Sequence, residues 1–470
     1  MISTLGLVIS RVFRRTCPDP FILAIALTLL TGVLVMAFGG STLSDGTVVG
    51  GTLFDAIRFW QDGFWELLTF SMQMCLILIT GHALASSPPL AWAIRKMAGL
   101  PRSALGATAL VASVAMVLGV INWGLGLIAG ALIARHVGKS LDDRNVPHHY
   151  PLLAAAGYLG LLVWHGGFSG SAPLKVTNAG EVQEIFQGIK IDFETIPFDH
   201  TILSPMNLLI TGGLILVALV TIVMLVPRDE QSMQGYGEFE VEELHTPARQ
   251  PLRTLPDWLE ATPIFSVLLA VPMLIWLADL FVIGDDWPII AETRSWKQLT
   301  PNDVNLLFLA LGLLMHGTPR RYVGAVNDAV RGCSGIILQF PLYAGIMGMM
   351  KYSHLTELFA QNIASVSNET TLPVTTFLSA GVVNLFVPSG GGQWAVQGPI
   401  AMQAASEIGV SYPKIVMAVA YGDQLTNMLQ PFWALPLLGI TGVKARDIVG
   451  YTTVVMIFAA IWIALGLLLF

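Results

Sequence analysis

Charge is what this chain has least of. Of its 470 residues only 12% are Asp, Glu, Lys or Arg, against roughly 25% for an ordinary soluble domain, and 54% are hydrophobic. Five stretches (103–134, 201–227, 332–350, 371–406 and 448–470) hold no charged residue. About 20 helical residues suffice to cross the hydrocarbon of a bilayer. A soluble core helix keeps a polar face and these stretches do not, which excludes a water-soluble globular domain. Basic runs interleaved with aromatics are also missing, so nucleic acid is not expected as a partner. The net charge of −7 resides in loops and says little about binding. Cysteine is scarce: Cys17, Cys75 and Cys333 are too scattered for a disulfide framework or a metal site and read as small apolar packers. A cleavage signal is lacking too. Arg11, Arg14 and Arg15 precede an apolar run at 21–38 that exceeds the ~7–15 residues of a signal-peptide core, so it reads as a retained first span.

What is present is a series of apolar segments, near 20–40, 64–87, 150–178, 203–226, 257–282, 303–317, 322–350, 412–440 and 448–470. Two further blocks, 104–138 and 371–408, are too long for one comfortable span and are interrupted by Asn, Gly or Pro. Non-helical backbone at membrane depth is tolerated only where protein buries it or water reaches it. Each block therefore reads as a re-entrant hairpin. The distribution of basic residues agrees. With Arg11, Arg14 and Arg15 inside, Arg95, Lys96 and Arg102 fall inside, as do Arg135, Lys139 and Arg144 beyond the first hairpin. Arg320, Arg321, Lys444 and Arg446 follow, whereas the acidic segment 181–199 (Glu181, Glu184, Asp192, Glu194, Asp199) falls outside. The expected organisation is a first transmembrane half at 1–227, a polar cytoplasmic linker at 228–256 with Glu238, Glu240, Glu242 and Glu243, and a second half at 257–470.

The two halves are related. At a constant offset of 262 residues Asn122 maps to Asn384, Gly130 to Gly392, Tyr150-Pro151 to Tyr412-Pro413 and Gly160 to Gly422. The span count gives the halves opposite insertion directions, with 257–282 as the odd span that inverts the second. The predicted fold class is an all-α polytopic membrane protein, an inverted-repeat secondary transporter with two re-entrant hairpins and broken helices. In such folds substrate and ions bind near the midplane, at interrupted helices. Four interruptions are expected: 122–124, 165–171, 387–393 and 426–431.

Their chemistry suits a small anion with a short apolar tail. A hairpin tip leading into a helix start presents backbone N–H groups and a positive dipole end. The second tip supplies Ser389, Gly390, Gly391, Gly392 and Gln393, with Trp394 to cover the tail and Asn384 before it; the first supplies Asn122 and Gly124. His165 and Ser169 join the candidate substrate site. Hydroxyl and amide oxygens of Asn122, Ser171, Asn384, Thr426, Asn427 and Gln430 suit a hard monovalent cation. Asp423 is an acid inside a predicted span, and such acids are functional candidates by default. His165 has a reference pKa of ~6.5, near physiological pH. No structural metal or resident cofactor is expected; the transported cation would be Na+ or H+. Lys175, at the end of its span, reads as a snorkelling lysine. The bland alternative is that the tip glycines serve only tight helix packing.

Five phrases, PDPFILAIALTLLTG, VINWGLGLIAGA, VWHGGFSGSAPL, VPSGGGQWAVQGP and YGDQLTNMLQPFWALPLLGI, resemble the bacterial short-chain fatty acid (acetoacetate/butyrate) transporter family within the broader ion-transporter superfamily. The resemblance runs over essentially the whole chain. It implies uptake of a small monocarboxylate across the inner membrane, a homodimer and elevator-like movement. Relatives in the superfamily carry Ser-Asn-Thr-type motifs at the tips. Asn122 and Asn384 hold comparable places without those flanks, which leaves the driving ion open between sodium and a proton. Three other readings exist: a cation/proton antiporter using Asp423 and His165, a rhomboid-like serine protease built on the GxSG pattern of Gly167-Phe168-Ser169-Gly170, and a non-transporting receptor, which gives no reason for paired broken helices. The protease leaves the repeat and the second glycine-rich hairpin without a purpose.

Overall fold

A computed structural model describes residues 8–9, 11–12, 19–43, 46–177, 179–186, 194–239, 254–279, 301–330 and 333–470. Arg14, Arg15, Cys17, Asp192, the linker glutamates Glu240, Glu242 and Glu243, and residues 280–282 lie outside them. The helices are α1 Pro20–Ala37, α2 Leu53–Gly63, α3 Leu68–Ser86, α4 Pro88–Ala98, α5 Ala104–Ile121, α6 Trp123–Asp143, α7 Tyr150–Tyr158, α8 Gly160–Val163, α9 Ser171–Lys175, α10 Ala179–Ile185 and α11 Pro205–Met224. The second half holds α12 Leu255–Ala261, α13 Pro263–Ala278, α14 Pro301–His316, α15 Pro319–Val330, α16 Ser334–Tyr352, α17 Leu355–Ala364, α18 Leu372–Asn384, α19 Gly390–Ile408, α20 Tyr412–Thr426, α21 Pro431–Thr441 and α22 Ala445–Leu469. Among the described residues the only strands are Ser41–Thr42 and Val48–Val49, a short antiparallel pair after α1.

Proline sets many of the starts. Pro20, Pro88, Pro151, Pro205, Pro263, Pro373, Pro413 and Pro431 occupy the first or second helical position, where a missing N–H costs nothing. The burial pattern is that of a protein in lipid. Helix α13 exposes Ile264, Phe265, Leu268, Leu269, Ile275 and Trp276 and buries Ser266 and Ala270. At the centre every residue of α7 is buried. Among the described residues four helices are long and apolar enough to cross a membrane, and up to seven elements if each bent pair counts as one span.

The molecule has an inner and an outer group of helices. Hairpins α5–α6 and α18–α19 enclose the interrupted spans α7–α9 and α20–α21, with α11 packed against α22 beside them. The outer group pairs α3 with α14 and α16 with α1 and α2. Both hairpins are re-entrant. Helix α18 has 13 residues, a rise of ~20 Å against a hydrocarbon thickness of ~30 Å. Helix α5, with 18 residues, reaches the crossing length and ends against the first break, where the Phe168 N–H donates to the Val120 carbonyl at 2.8 Å.

The repeat is visible in the packing. A Cβ on Gly160 would lie 2.7 Å from the Ala115 carbonyl oxygen, and one on Gly422 would lie 2.2 Å from the Phe377 carbonyl oxygen. Ala115 and Phe377 are themselves 262 positions apart, so each half seats a glycine of its broken span on the same turn of its hairpin. Gly119 meets Gly160 and Gly381 meets Gly422 in the same way.

Three sequence expectations need correction. The basic segment at 95–102 is not a simple loop, because Arg95 and Lys96 form the last turn of α4, whose Ala91, Ile94 and Ala98 pack inward. The span expected at 322–350 is two helices, α15 and α16, bent by 54°; α15 has a polar face with Arg320, Arg321, Asn327 and Asp328. The span at 257–282 is likewise divided, into α12 and α13, with a 46° bend at Thr262. The first part of the linker packs against the first half. Tyr236 and Phe239 pack on Tyr150 at ring separations of 5.1 and 5.4 Å, and the Gln234 N–H donates to His149 Nδ1 at 3.0 Å. Cys75 and Cys333 are buried neighbours.

Gly160→Ala and Gly422→Ala are each expected to destabilise the folded protein by about 1–3 kcal/mol through forced separation of helices. Gly212, which has open space around it, is the neutral control. Melting temperatures in detergent test this, and equal values for all three would contradict the packing account.

Candidate functional site at the broken helices

Both interrupted spans break in the same manner. Helix α8 runs into a 3-10 turn at Trp164–Gly166, and α20 runs into one at Asn427–Leu429. Each break abandons backbone hydrogen bonds that lipid cannot replace. The opposite half replaces them. Gln424 Oε1 accepts from the N–H groups of His165 (3.0 Å) and Gly166 (3.2 Å). In return the Tyr158 hydroxyl donates to the carbonyls of Asn427 (2.9 Å) and Gln430 (3.2 Å). Asn207 on α11 donates to the Gly166 carbonyl at 2.9 Å and accepts from the Tyr421 hydroxyl at 2.7 Å.

The hairpin tips meet these breaks. At the first tip the Trp123 N–H donates to Ser169 Oγ at 2.9 Å. At the second, a Cβ on Gly390 would come within 2.9 Å of His165 Cε1 and Trp164 and 3.2 Å of Ser171 Oγ, so only glycine permits this approach. Asn384, fully buried, donates from Nδ2 toward the Asp423 carbonyl (2.8 Å), Thr426 Oγ1 (3.0 Å) and Asn427 Oδ1 (2.9 Å). Gln430 Nε2 donates to the Asn384 carbonyl. Of the candidates, His165, Ser171, Asn384, Gly390, Asp423, Thr426, Asn427 and Gln430 thus share one junction, with Ser169 joined to the first tip through Trp123.

His165 and Asp423 join the halves directly. His165 Nδ1 lies 2.9 Å from Asp423 Oδ1, with both side chains within 2% of complete burial. The Ala172 N–H donates to His165 Nε2 at 3.1 Å. A backbone amide can only donate, so Nε2 is the acceptor and the ring proton resides on Nδ1, where it is donated to Asp423. This arrangement also bears on the protease reading, because neither ring nitrogen is directed at Ser169.

Several candidates have roles the sequence did not reveal. Asn122 Oδ1 caps α6, accepting from Gly124 (2.9 Å) and Leu125 (3.2 Å); the first tip's amides are therefore engaged in a cap. Ser389 caps α19 through the Gly392 N–H. Gln393 donates to Ala380 and Gln397. Trp394 is buried against Phe186 in a cluster with α9 and α10, behind the tip rather than at the junction. The aromatic surface at the junction comes instead from Trp123, Trp164 and Trp433, whose ring centroids are 5.5–6.5 Å apart. Gln424, Tyr158, Asn207 and Tyr421 were also missed; the adjacency of Gln424 to Asp423 was the one available signal. Buried polar atoms with no protein partner gather here: Asp423 Oδ2, Asn384 Oδ1, Asn427 Nδ2, Gln424 Nε2, Gln430 Oε1 and the indole nitrogen of Trp164. Among the described residues no group of three or more His, Cys, Asp or Glu could hold a metal.

Hairpins of opposite halves closing on broken helices, around unsatisfied polar atoms, define a polytopic inverted-repeat secondary transporter. The chain belongs to the short chain fatty acid transporter family, whose model matches residues 1–470. A relative from Escherichia coli is 39% identical over 471 residues, covering 100% of both chains. One from Haemophilus influenzae is 34% identical over 476 residues, covering 99% of both. Both are provisionally named short-chain fatty acid transporters. The chain is therefore a transporter and not an enzyme. Among solved structures, the YdaH transporter of Alcanivorax borkumensis aligns over 96% of this chain and 97% of its own, with 17% identity and a TM-score of 0.46. MtrF of Neisseria gonorrhoeae, of a class of antimetabolite efflux pumps, aligns over 97% of both chains with 17% identity and a TM-score of 0.44.

Removing one member of a buried hydrogen-bonded pair strands the other. His165→Gln and Asp423→Asn should each destabilise the protein by roughly 2–5 kcal/mol, and the double variant by clearly less than their sum. A thermal double-mutant cycle in detergent measures this; simple additivity would mean the pair does not couple the halves.

Proposed function

We propose that this protein moves short-chain fatty acids (acetoacetate, butyrate or a similar small monocarboxylate) across the bacterial inner membrane, coupled to sodium or protons. The observation that carries the reading is the convergence of both tips and both breaks on one buried junction with unpartnered polar atoms. The carboxylate would meet the amides of Gly390 and Gly391 at the start of α19 and the side-chain donors Asn427 and Gln424. The tryptophan cluster would take the apolar tail.

The cation would bind on the second-half side of the junction. Three acceptors (the Asp423 carbonyl, Thr426 Oγ1 and Asn427 Oδ1) surround Asn384 Nδ2, which has only two hydrogens to give. Rotating that amide turns Oδ1 toward the same three oxygens, an all-oxygen cluster suited to a hard cation. A proton would instead occupy the unpartnered Oδ2 of Asp423. Both fit an elevator-like motion in which the inner helices move against the outer group. A homodimer with cytoplasmic N-termini, and the division into halves at 1–227 and 257–470 around a linker at 228–256, complete the proposal.

Proteoliposome uptake of labelled butyrate and acetoacetate, under separate sodium and proton gradients, tests it. Wild type is expected to accumulate at least one acid. Asn384→Ala and Gly391→Val should reduce uptake by ten-fold or more with membrane insertion intact, and Asp423→Asn should change its ion or pH dependence. No uptake of any short carboxylate under either gradient would sink the proposal.

A further inference from the structure

We infer that Lys175 is the residue that first receives the carboxylate, exchanging its Glu181 partner for that of the substrate; this rests on the short-chain acid reading above. Lys175 closes α9, directly after the first break. Its side chain does not run away from the junction as a snorkelling lysine would. Its Cε would lie 3.4 Å from a Cβ on Gly391, so the aliphatic stem rests on the middle glycine of the second tip. The side chain is 29% exposed, and Nζ is 2.5 Å from Glu181 Oε2, itself 41% exposed.

Three features separate this lysine from an ordinary surface ion pair. The first is position: the segments 145–174, 371–406 and 415–443, which build the junction, contain no Lys or Arg. Lys175, the first basic residue after the first of these stretches, is brought against the second tip by its contact with Gly391. The second is the nature of its partner. Glu181 offers a carboxylate, the same group the substrate carries, so exchanging one for the other preserves the charge-assisted contact. The third is exposure, because a partly exposed ion pair contributes little to stability and separates readily. Lys175 can then hold the acid at the mouth of the glycine run while the tail enters the junction. The lysine charge would also distinguish carboxylates from neutral molecules of the same size.

A purely structural ion pair and a substrate-receiving lysine make different predictions for the two partners. If the pair only braced α9 against α10, removing either end would have the same effect. If Lys175 receives substrate, the effects diverge. Lys175→Met keeps the stem on Gly391 and removes the charge. It is expected to raise the KM for butyrate by about ten-fold or more, the cost of losing one charge-assisted hydrogen bond, with Vmax within about two-fold of wild type. Lys175→Arg should restore KM to near wild type. Glu181→Gln, by freeing the lysine, should leave KM equal to or below that of wild type. Uptake kinetics in proteoliposomes of the full chain, with melting temperatures as a folding control, read all four. Parallel KM increases in Lys175→Met and Glu181→Gln, or a Lys175→Met protein indistinguishable from wild type, would overturn the inference. A wild type that carries no short acid would remove the underlying reading instead.

Discussion

Two helices broken at membrane depth leave backbone groups that hydrocarbon cannot satisfy, and the arrangement of the inner helices answers that constraint. The answer is reciprocal. Amides freed at the first break are accepted by Gln424 of the second half, and carbonyls freed at the second are met by Tyr158 of the first. The His165–Asp423 contact adds a side-chain bond across the same boundary. Neither half could hold its own break alone without burying unsatisfied polar groups at a cost of several kcal/mol. The two halves therefore fold onto one another at the place where transport chemistry is needed.

The same reciprocity confines the unsatisfied atoms. The amides of His165 and Gly166 and the carbonyls of Asn427 and Gln430 are partnered across the halves, while buried side-chain atoms such as Asp423 Oδ2, Asn384 Oδ1 and Gln430 Oε1 are not. Unpartnered oxygens next to partnered backbone give a junction that is fixed in its frame and open in its chemistry. Tight glycine contacts set the frame. Gly160 on Ala115 and Gly422 on Phe377 fix each broken span against its hairpin, so that the breaks and tips arrive at a common depth.

Much of this was legible in the sequence because it depends on composition and position. Charge-free runs define apolar elements, Gly, Asn and Pro mark where helices stop, and a constant offset exposes the repeat. The four expected interruptions do meet at one junction. What the sequence did not reveal depends on tertiary pairing. Asn122 and Ser389 have the residue types of ligands, and also of helix caps, and the cap is what the structure makes of each. Trp394 and Trp433 are equally apolar, yet one packs behind the tip against Phe186 and the other faces Trp123. Helices α2, α4 and α17 are 10–11 residues long and α4 carries basic residues, so a search for bilayer-length apolar runs passes over them. Lys175 read as a snorkelling residue because its contact with Gly391, more than 200 positions away, has no local signature.

The central claim is that both hairpin tips and both breaks form one binding site for a small carboxylate. Its most direct test is a crystal structure of the protein with a bromine-labelled short acid such as 4-bromobutyrate, located by anomalous scattering. The account predicts a bromine peak beside the Trp123, Trp164 and Trp433 rings, with the carboxylate directed at Gly390 and Gly391. A fully occupied peak elsewhere in the protein, with the junction empty, would contradict it.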